Sequence, residues 1–231
     1  MRVIIIGGSG GIGAKIIQSL IDEHIYVVNV DLKPVGISSE YYTEILINLT
    51  SENIECTIAD VLDKSPSIDG FISAIGYYGV NTLSGFTHDE YVKTMMINVE
   101  IPTLCAIQVA NRMIAQNHGK MVFISSAAAF VGSRDIPYSI SKSAIQGLVK
   151  GLSKSLEGIN VYAYSIAPGI VETNMSKNMS ASRKNDAVSR TINKRMCDPI
   201  EVAKLVRYIL LEDDGYMNGA TLHVNNGLYL N

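Results

Sequence analysis

Ile6-Gly7-Gly8-Ser9-Gly10-Gly11-Ile12-Gly13 follows directly on a strand-length run, Arg2–Ile6, and opens a segment with helical apolar spacing. Glycines in such a turn let the chain reverse tightly and bring backbone amides against a pyrophosphate at a helix N-terminus, where the helix dipole favours negative charge. The run reads as G-x-G-x-x-G from Gly8, as G-x-x-G-x-x-G from Gly7, or as G-x-x-x-G-x-G from Gly7. Taken alone it is also compatible with a tight structural connection. Its context favours a nucleotide: a strand before, a helix after, and Asp31 ending the second strand, 18 residues past Gly13. A carboxylate there accepts hydrogen bonds from adenosine ribose hydroxyls.

Outward from this turn, β-branched runs alternate with helical segments. The strand-like runs are Arg2–Ile6, Ile25–Val30, Glu44–Asn48, Gly70–Ala74, Lys120–Ser125, Asn160–Ile166 and Ala220–Val224. Apolar residues recurring at three- and four-residue steps predict helices over Gly11–Glu23, Ser51–Leu62, Val99–Gln116, Tyr138–Leu156 and Pro199–Leu211. The alternation predicts an α/β fold: a Rossmann-type, doubly wound, mainly parallel seven-stranded sheet with helices on both faces. Nothing in the 231 residues looks like a linker, so residues 1–231 are expected to form one domain. The polar stretch 174–198 leaves the carboxyl end of the sixth strand, where open α/β sheets bind ligands, and is expected to act as a substrate lid.

A formal net charge of -3 and a pI near 5.8 argue against nucleic acid or an anionic membrane surface as partner and favour a small molecule. Apolar runs are far shorter than the ~20 residues of a membrane span, and the first strand begins at residue 2, leaving no room for a leader, so a cytoplasmic location is expected. Cys56, Cys105 and Cys197 are far apart, and His24, His88, His118 and His223 share no ligand spacing, so neither a disulfide frame nor a metal site is expected.

Tyr138-Ser139-Ile140-Ser141-Lys142 puts a phenol and an ammonium four residues apart, on one helix face. With 12 Tyr and 12 Lys in the chain, roughly 0.6 such pairs arise by accident, so the pair alone proves little. Its neighbours add weight: Ser125-Ser126 closes a strand 12 residues before the tyrosine, and Pro168-Gly169 closes the next strand. Together these motifs resemble the short-chain dehydrogenase/reductase family over essentially the whole chain. The third glycine reading is that family's T-G-x-x-x-G-x-G, with Ile6 in place of Thr.

The resemblance assigns coenzyme contacts to Gly7, Ser9, Gly10, Gly11, Ile12 and Gly13 in the glycine turn, and to Asn48-Leu49 for the adenine. It adds Ala74, Ile75 and Gly76 after the fourth strand, and Pro168, Gly169, Val171 and Thr173 for the nicotinamide amide. It implies a catalytic group of Asn98, Ser126, Tyr138 and Lys142, with Tyr138 and Lys142 also touching coenzyme, and a homotetramer or homodimer built on the helices after the fourth and fifth strands. Leu104, Ala106, Ile107 and Ala110 on one and Ala144, Ile145, Leu148 and Leu152 on the other permit such pairing. Ser73-Ala74 stands where the family has two asparagines, which removes side-chain hydrogen bonds at supporting positions.

The expected chemistry is hydride transfer between a nicotinamide and a small alcohol or ketone, with Tyr138 moving the proton. For a phenol of pKa about 10 to act as base near neutrality, roughly 4 kcal/mol must come from its surroundings, and one cation ~4 Å away supplies about that much. Lys142 is expected to be this cation. Ser126 is expected to hold the substrate oxygen. Asn98 either satisfies a backbone group or orders a water that relays protons to Lys142. Tyr77-Tyr78 either line a pocket or pack under a loop, and Arg134 either meets a polar or anionic substrate or is solvated.

Asp31, with no basic residue at Gly10 or Leu32, predicts NAD over NADP, although Lys33 is near. Two other functions fit the sequence: a 3-oxoacyl-(acyl carrier protein) reductase-like enzyme, and a non-catalytic dinucleotide-binding sensor.

Overall fold

Strand β1 (Arg2–Ile6) is apolar without alternation because it is covered on both faces: Ile4 and Ile6 point to one side, Val3 and Ile5 to the other, and all four are fully buried. It pairs in parallel with β2 (Tyr26–Asp31) on one edge and with β4 (Gly70–Ser73) on the other. With β3 (Tyr42–Leu46), β5 (Gly119–Ile124), β6 (Val161–Pro168) and β7 (Thr221–Val224) the order is β3-β2-β1-β4-β5-β6-β7, all parallel. The chain leaves β1 in one direction and returns at β4 in the other. That reversal opens a crevice at the carboxyl ends of the strands. In this computed structural model residues 1–230 are described, apart from 51–53, 66, 80, 81 and 178, with residues 54–57 described by backbone alone.

Helices α1 (Gly11–Ile21) and α9 (Pro199–Leu211) cover one face, burying Ile16, Leu20, Val202 and Val206 against Val3, Ile5, Ile72 and Val122. The other face is covered by α2 (Ile54–Asp63), α4 (Ile101–Gln116) and α6 (Ile136–Ser155), whose Val61, Val109, Met113, Ile145 and Val149 meet Ile4, Phe71, Met121 and Phe123. Each predicted strand is present within two residues at either end; β3 starts and ends two residues early. The first three residues of the predicted Ser51–Leu62 helix lie outside the described residues.

Before α4 the sequence reading missed a helical run. Helix α3 (His88–Met95) leads through a π-helical turn, Met96–Glu100, straight into α4. Its start was legible as Thr87-His88-Asp89-Glu90, since the Thr87 side chain accepts from the Glu90 amide at 3.2 Å. The polar stretch 174–198 carries two helices that its apolar periodicity did not show. They are α7 (Asn174–Lys177) and α8 (Ala181–Ser189), and α8 buries none of its residues. Short helix α5 (Ala128–Val131) lies between β5 and α6.

The outer faces of α4 and α6 differ from the expected pairing surface. Ala106, Ala110, Ile145 and Leu152 face the sheet and are buried, because the periodicity of each helix gives its core face these positions. The exposed large apolar groups there are Ile107, Ile114, Ile136 and Ile140. Cys105 is a buried thiol pushed up to about 12 by burial, Cys197 is half-buried, and the Cys56 side chain is outside the described residues. Among the described residues no helix is long and apolar enough to cross a membrane.

Candidate active site

The glycine turn closes over the end of β1 by backbone packing. Gly7 has a φ of 81°, and a Cβ there would strike the Ile75 backbone beyond β4, while one on Gly13 would lie 2.5 Å from the Gly7 carbonyl oxygen. These two glycines fold the turn, and Gly10, with nothing nearer its Cβ position than the Gly7 carbonyl oxygen at 3.6 Å, leaves the amino end of α1 open. That end has no side-chain cap and no acidic residue in its first turn, so its leading amides point outward unpaired with a side chain. This suits a diphosphate and nothing cationic. Opposite the turn, Thr173 stands 2.7 Å from a Cβ on Gly11, which brings the segment after β6 over the same cradle.

Asp31 ends β2 beside this turn. One carboxylate oxygen accepts from the Ser9 amide at 2.8 Å, and the other accepts from the Leu32 amide at 2.6 Å, so the carboxylate is held with its remaining lone pairs outward. The Ser9 hydroxyl donates to the Lys33 carbonyl, which draws the β2–β3 loop to the glycine turn. Behind it, Asn29 accepts from the Gly8 amide at 3.1 Å and donates to the Tyr42 hydroxyl at 3.2 Å. Asn29 was not singled out from sequence. The available signal was a polar residue inside the otherwise apolar run Val27–Val30. Of the expected adenine contacts, Asn48 is exposed and turns back on Thr50, and Leu49 is buried in the core.

The crevice deepens into a cleft of about 230 Å³. Ile12, Ala74, Ile75 and Gly76 form one side, Pro168, Gly169, Val171 and Thr173 the other, and Ser126, Tyr138 and Lys142 the floor. Helix α6 is aimed by its start: Asp135 accepts from the Tyr138 amide at 3.1 Å, and Pro137 occupies the first turn. Tyr138 therefore enters the cleft one turn above Lys142. Ser126 lines the same cleft and draws the pKa of the Tyr138 phenol downward, and the Tyr78 ring stands edge-on to that phenol with centroids 4.8 Å apart. The neighbouring aromatics thus divide the two roles open to them: Tyr78 lines the cleft, whereas Tyr77 packs under Lys93 and bonds Glu90 at 2.9 Å.

The electrostatics correct one expectation. Burial pushes the Tyr138 phenol up to about 12, against a smaller downward pull from Ser126, and Lys142 exerts no resolved influence on it. The Lys142 ammonium lies 5.7 Å from the Tyr138 ring centroid and donates to the Ile124 carbonyl at 3.0 Å. Desolvation of that buried ammonium lowers its own pKa to about 8. The phenol is thus a neutral acid at physiological pH, and two groups expected to be coupled by charge are each governed first by burial.

Asn98, in the π-helical turn, is 1% exposed and fully engaged: it accepts from the Tyr77 amide at 2.7 Å and donates to the Tyr77 carbonyl and to Ser141, each at 2.9 Å. It ties the β4 loop to α6. Sequence reading also missed the polar layer behind the floor. Gln146 donates to Ser125 at 2.7 Å and Ser165 at 3.1 Å and accepts from Thr221, while Ser125 donates to the Lys142 carbonyl at 2.9 Å. These residues come from α6, β6, β7 and the turn after β5, and nothing local links them.

A parallel doubly wound sheet, a glycine turn opening an uncapped helix, and a phenol–serine–ammonium floor define a dinucleotide-dependent oxidoreductase. The chain belongs to the short-chain dehydrogenase/reductase family: a family model described as enoyl-(acyl carrier protein) reductase matches residues 8–229. It is 26% identical to a 3-oxoacyl-[acyl-carrier-protein] reductase of Vibrio harveyi, over 98% of this chain and 96% of that one. It is 30% identical to dehydrogenase/reductase SDR family member 4 of Homo sapiens, over 73% of this chain and 59% of that one. Among solved structures, ElxO with NADP bound superposes with a TM-score of 0.89 at 21% identity, covering 98% of each chain. A short-chain dehydrogenase/reductase of Brucella melitensis gives 0.89 at 22%, covering 100% of this chain and 97% of the other. These two share the fold.

Proposed function

We propose that this protein reduces small ketones to alcohols with NADH, and runs the reverse oxidation with NAD, using Tyr138 as the proton-transfer group. The observation that carries the reading is the Tyr138 phenol, held protonated by burial beside Ser126 on the floor of a cleft that opens onto the glycine turn. The turn, Asp31, Pro168-Gly169 and Thr173 suit a dinucleotide, whose reduced nicotinamide supplies the hydride that reaches the carbonyl carbon. Ser126 donates a hydrogen bond to the carbonyl oxygen, and Tyr138 delivers its proton there as negative charge develops. Lys142, its ammonium 5.7 Å from the Tyr138 ring centroid, would bond the nicotinamide ribose of a bound dinucleotide. Asn98 is a positioning residue, since its three bonds fix α6 against the loop that carries Tyr78.

NAD is assigned on the Asp31 carboxylate, which repels a 2′-phosphate. Residues 174–198, as α7 and α8, form the substrate lid. The alignment with 3-oxoacyl-carrier reductases over nearly the whole chain favours a second reading, in which the ketone is a carrier-bound 3-oxoacyl thioester. Coenzyme oxidation measured against a panel of small ketones and 3-oxoacyl thioesters separates the two, and binding of coenzyme without any absorbance change on the panel would mark a sensor instead. In the same assay Tyr138→Phe is expected to lose more than 99% of turnover and still bind coenzyme. Retention of over a tenth of the wild-type rate would remove Tyr138 from its role.

A further inference from the structure

Beyond the phenol the cleft continues outward into a second chamber of about 440 Å³, which shares Tyr78, Gly132, Ser133 and Met179 with it. Three guanidinium groups line its wall: Arg134 from the loop before α6, and Arg183 and Arg190 from α8 and its end. Among the described residues that line it, three arginines stand against one carboxylate, Asp186, which Arg190 holds at 3.0 Å, in a chain whose net charge is -3. Arg134 is exposed and has no carboxylate partner among the described residues. Arg183 turns inward: it donates to the Tyr78 hydroxyl at 2.8 Å, and its guanidinium lies 5.7 Å from the Tyr78 ring centroid. Since Tyr78 stands edge-on to Tyr138, this arginine belongs to the same continuous surface as the reacting end of the cleft.

Solvated arginines on a surface helix ordinarily spread apart, because like charges repel. Here two separate elements bring theirs to one concave wall, where low-dielectric sides concentrate the field. The guanidinium fork matches the paired oxygens of a carboxylate or phosphate. We propose that the substrate carries an oxyanion group, carboxylate or phosphate, remote from its reacting carbonyl, and that Arg134 and Arg183 bind it. The inference rests on reading the inner cleft as the carbonyl-reducing site, and it extends that reading to the class of substrate.

The test is calorimetric titration of the enzyme saturated with oxidised coenzyme, a state in which a ketone binds and cannot be reduced. One arm compares 4-oxopentanoate with its methyl ester, the other dihydroxyacetone phosphate with dihydroxyacetone. In at least one arm the anion is expected to bind ten times more tightly than its neutral partner, and the arm that responds identifies the anion. That ratio should fall below two in the Arg134→Gln, Arg183→Gln double variant and rise in Asp186→Asn, which releases Arg190. A ratio below two in both arms, or one that survives the double variant, overturns the proposal. Because no turnover is needed, a preference for anions in an enzyme that reduces nothing would sink the reading of the inner cleft and leave the arginine site standing.

Discussion

Tyr138 and Lys142 are four residues apart, yet their surroundings push their ionisations away from each other: the phenol up to about 12 and the ammonium down to about 8. For reduction this predicts that the proton donor is fully loaded throughout the neutral range, and that the first group to change state as pH rises is Lys142. The rate constant for ketone reduction should be flat below pH 8 and fall above it as the ammonium is lost. Lys142→Arg, whose charge does not titrate in this range, should be slower but flat from pH 7 to 10. An inflection near pH 8 that persists in that variant would assign it to another group. The sign for stability follows from the same value. A folded pKa below the unfolded one means that the native state gains stability as pH rises from about 8 toward 10.5 and loses it as pH falls back through 8.

Asp31 makes a second prediction at this scale. Its carboxylate, tied by the Ser9 and Leu32 amides, cannot swing away from a 2′-phosphate. NAD should therefore bind at least tenfold more tightly than NADP, and Asp31→Ala should narrow the gap. Dissociation constants for both coenzymes check this. Equal or tighter NADP binding would show that Lys33, whose carbonyl accepts from Ser9 in the same turn, outweighs the carboxylate.

Among the elements, α6 has the most demanding task, because one helix delivers both Tyr138 and Lys142 to the floor. Its first turn is fixed by Asp135, which is 1% exposed and accepts from the Tyr138 amide. Asp135→Ala should cost about 1–2 kcal/mol of stability, read as a lower denaturation midpoint with unchanged slope. Asp135→Asn should recover most of it; an alanine variant as stable as the wild type would mean that Pro137 and the core contacts of α6 suffice to start the helix. The π-helical turn at Met96–Glu100 has a related effect. One extra residue per turn rotates the helix locally, so that Asn98 faces Tyr77 and Ser141 instead of following the apolar face of α4. Apolar periodicity could not reveal that turn, since it shows only as a break in the 3.6-residue repeat.

Taken as a whole, the molecule leaves Ile107, Ile114 and Ile140 exposed on α4 and α6, and Gly147 and Gly151 on α6 have open space where a Cβ would stand. Such a face lets two helices approach closely across a twofold axis, and a homodimer or homotetramer is expected. Light scattering at micromolar concentration checks it: a monomer mass would refute the assignment, and Gly147→Arg should dissociate the assembly if the face is right.

The sequence by itself determined the parallel order of layers, the glycine turn with Asp31 behind it, and the serine, tyrosine and lysine of the floor. All of these are written in short-range patterns: β-branched runs that must be buried on both faces, glycines at fixed offsets, and a four-residue step along a helix. Only the tertiary structure decided which of Tyr77 and Tyr78 faces the cleft, that Asn98 clamps a loop, that Gln146 joins Ser125, Ser165 and Thr221, and that arginines from two elements share one wall. It also decided the protonation of Tyr138. Charge spacing along α6 pointed to a lowered pKa, but burial, which depends on everything packed around a group, raised it. Local periodicity encodes which face of an element is buried; it does not encode which residues distant in the chain meet there, or how much water they exclude.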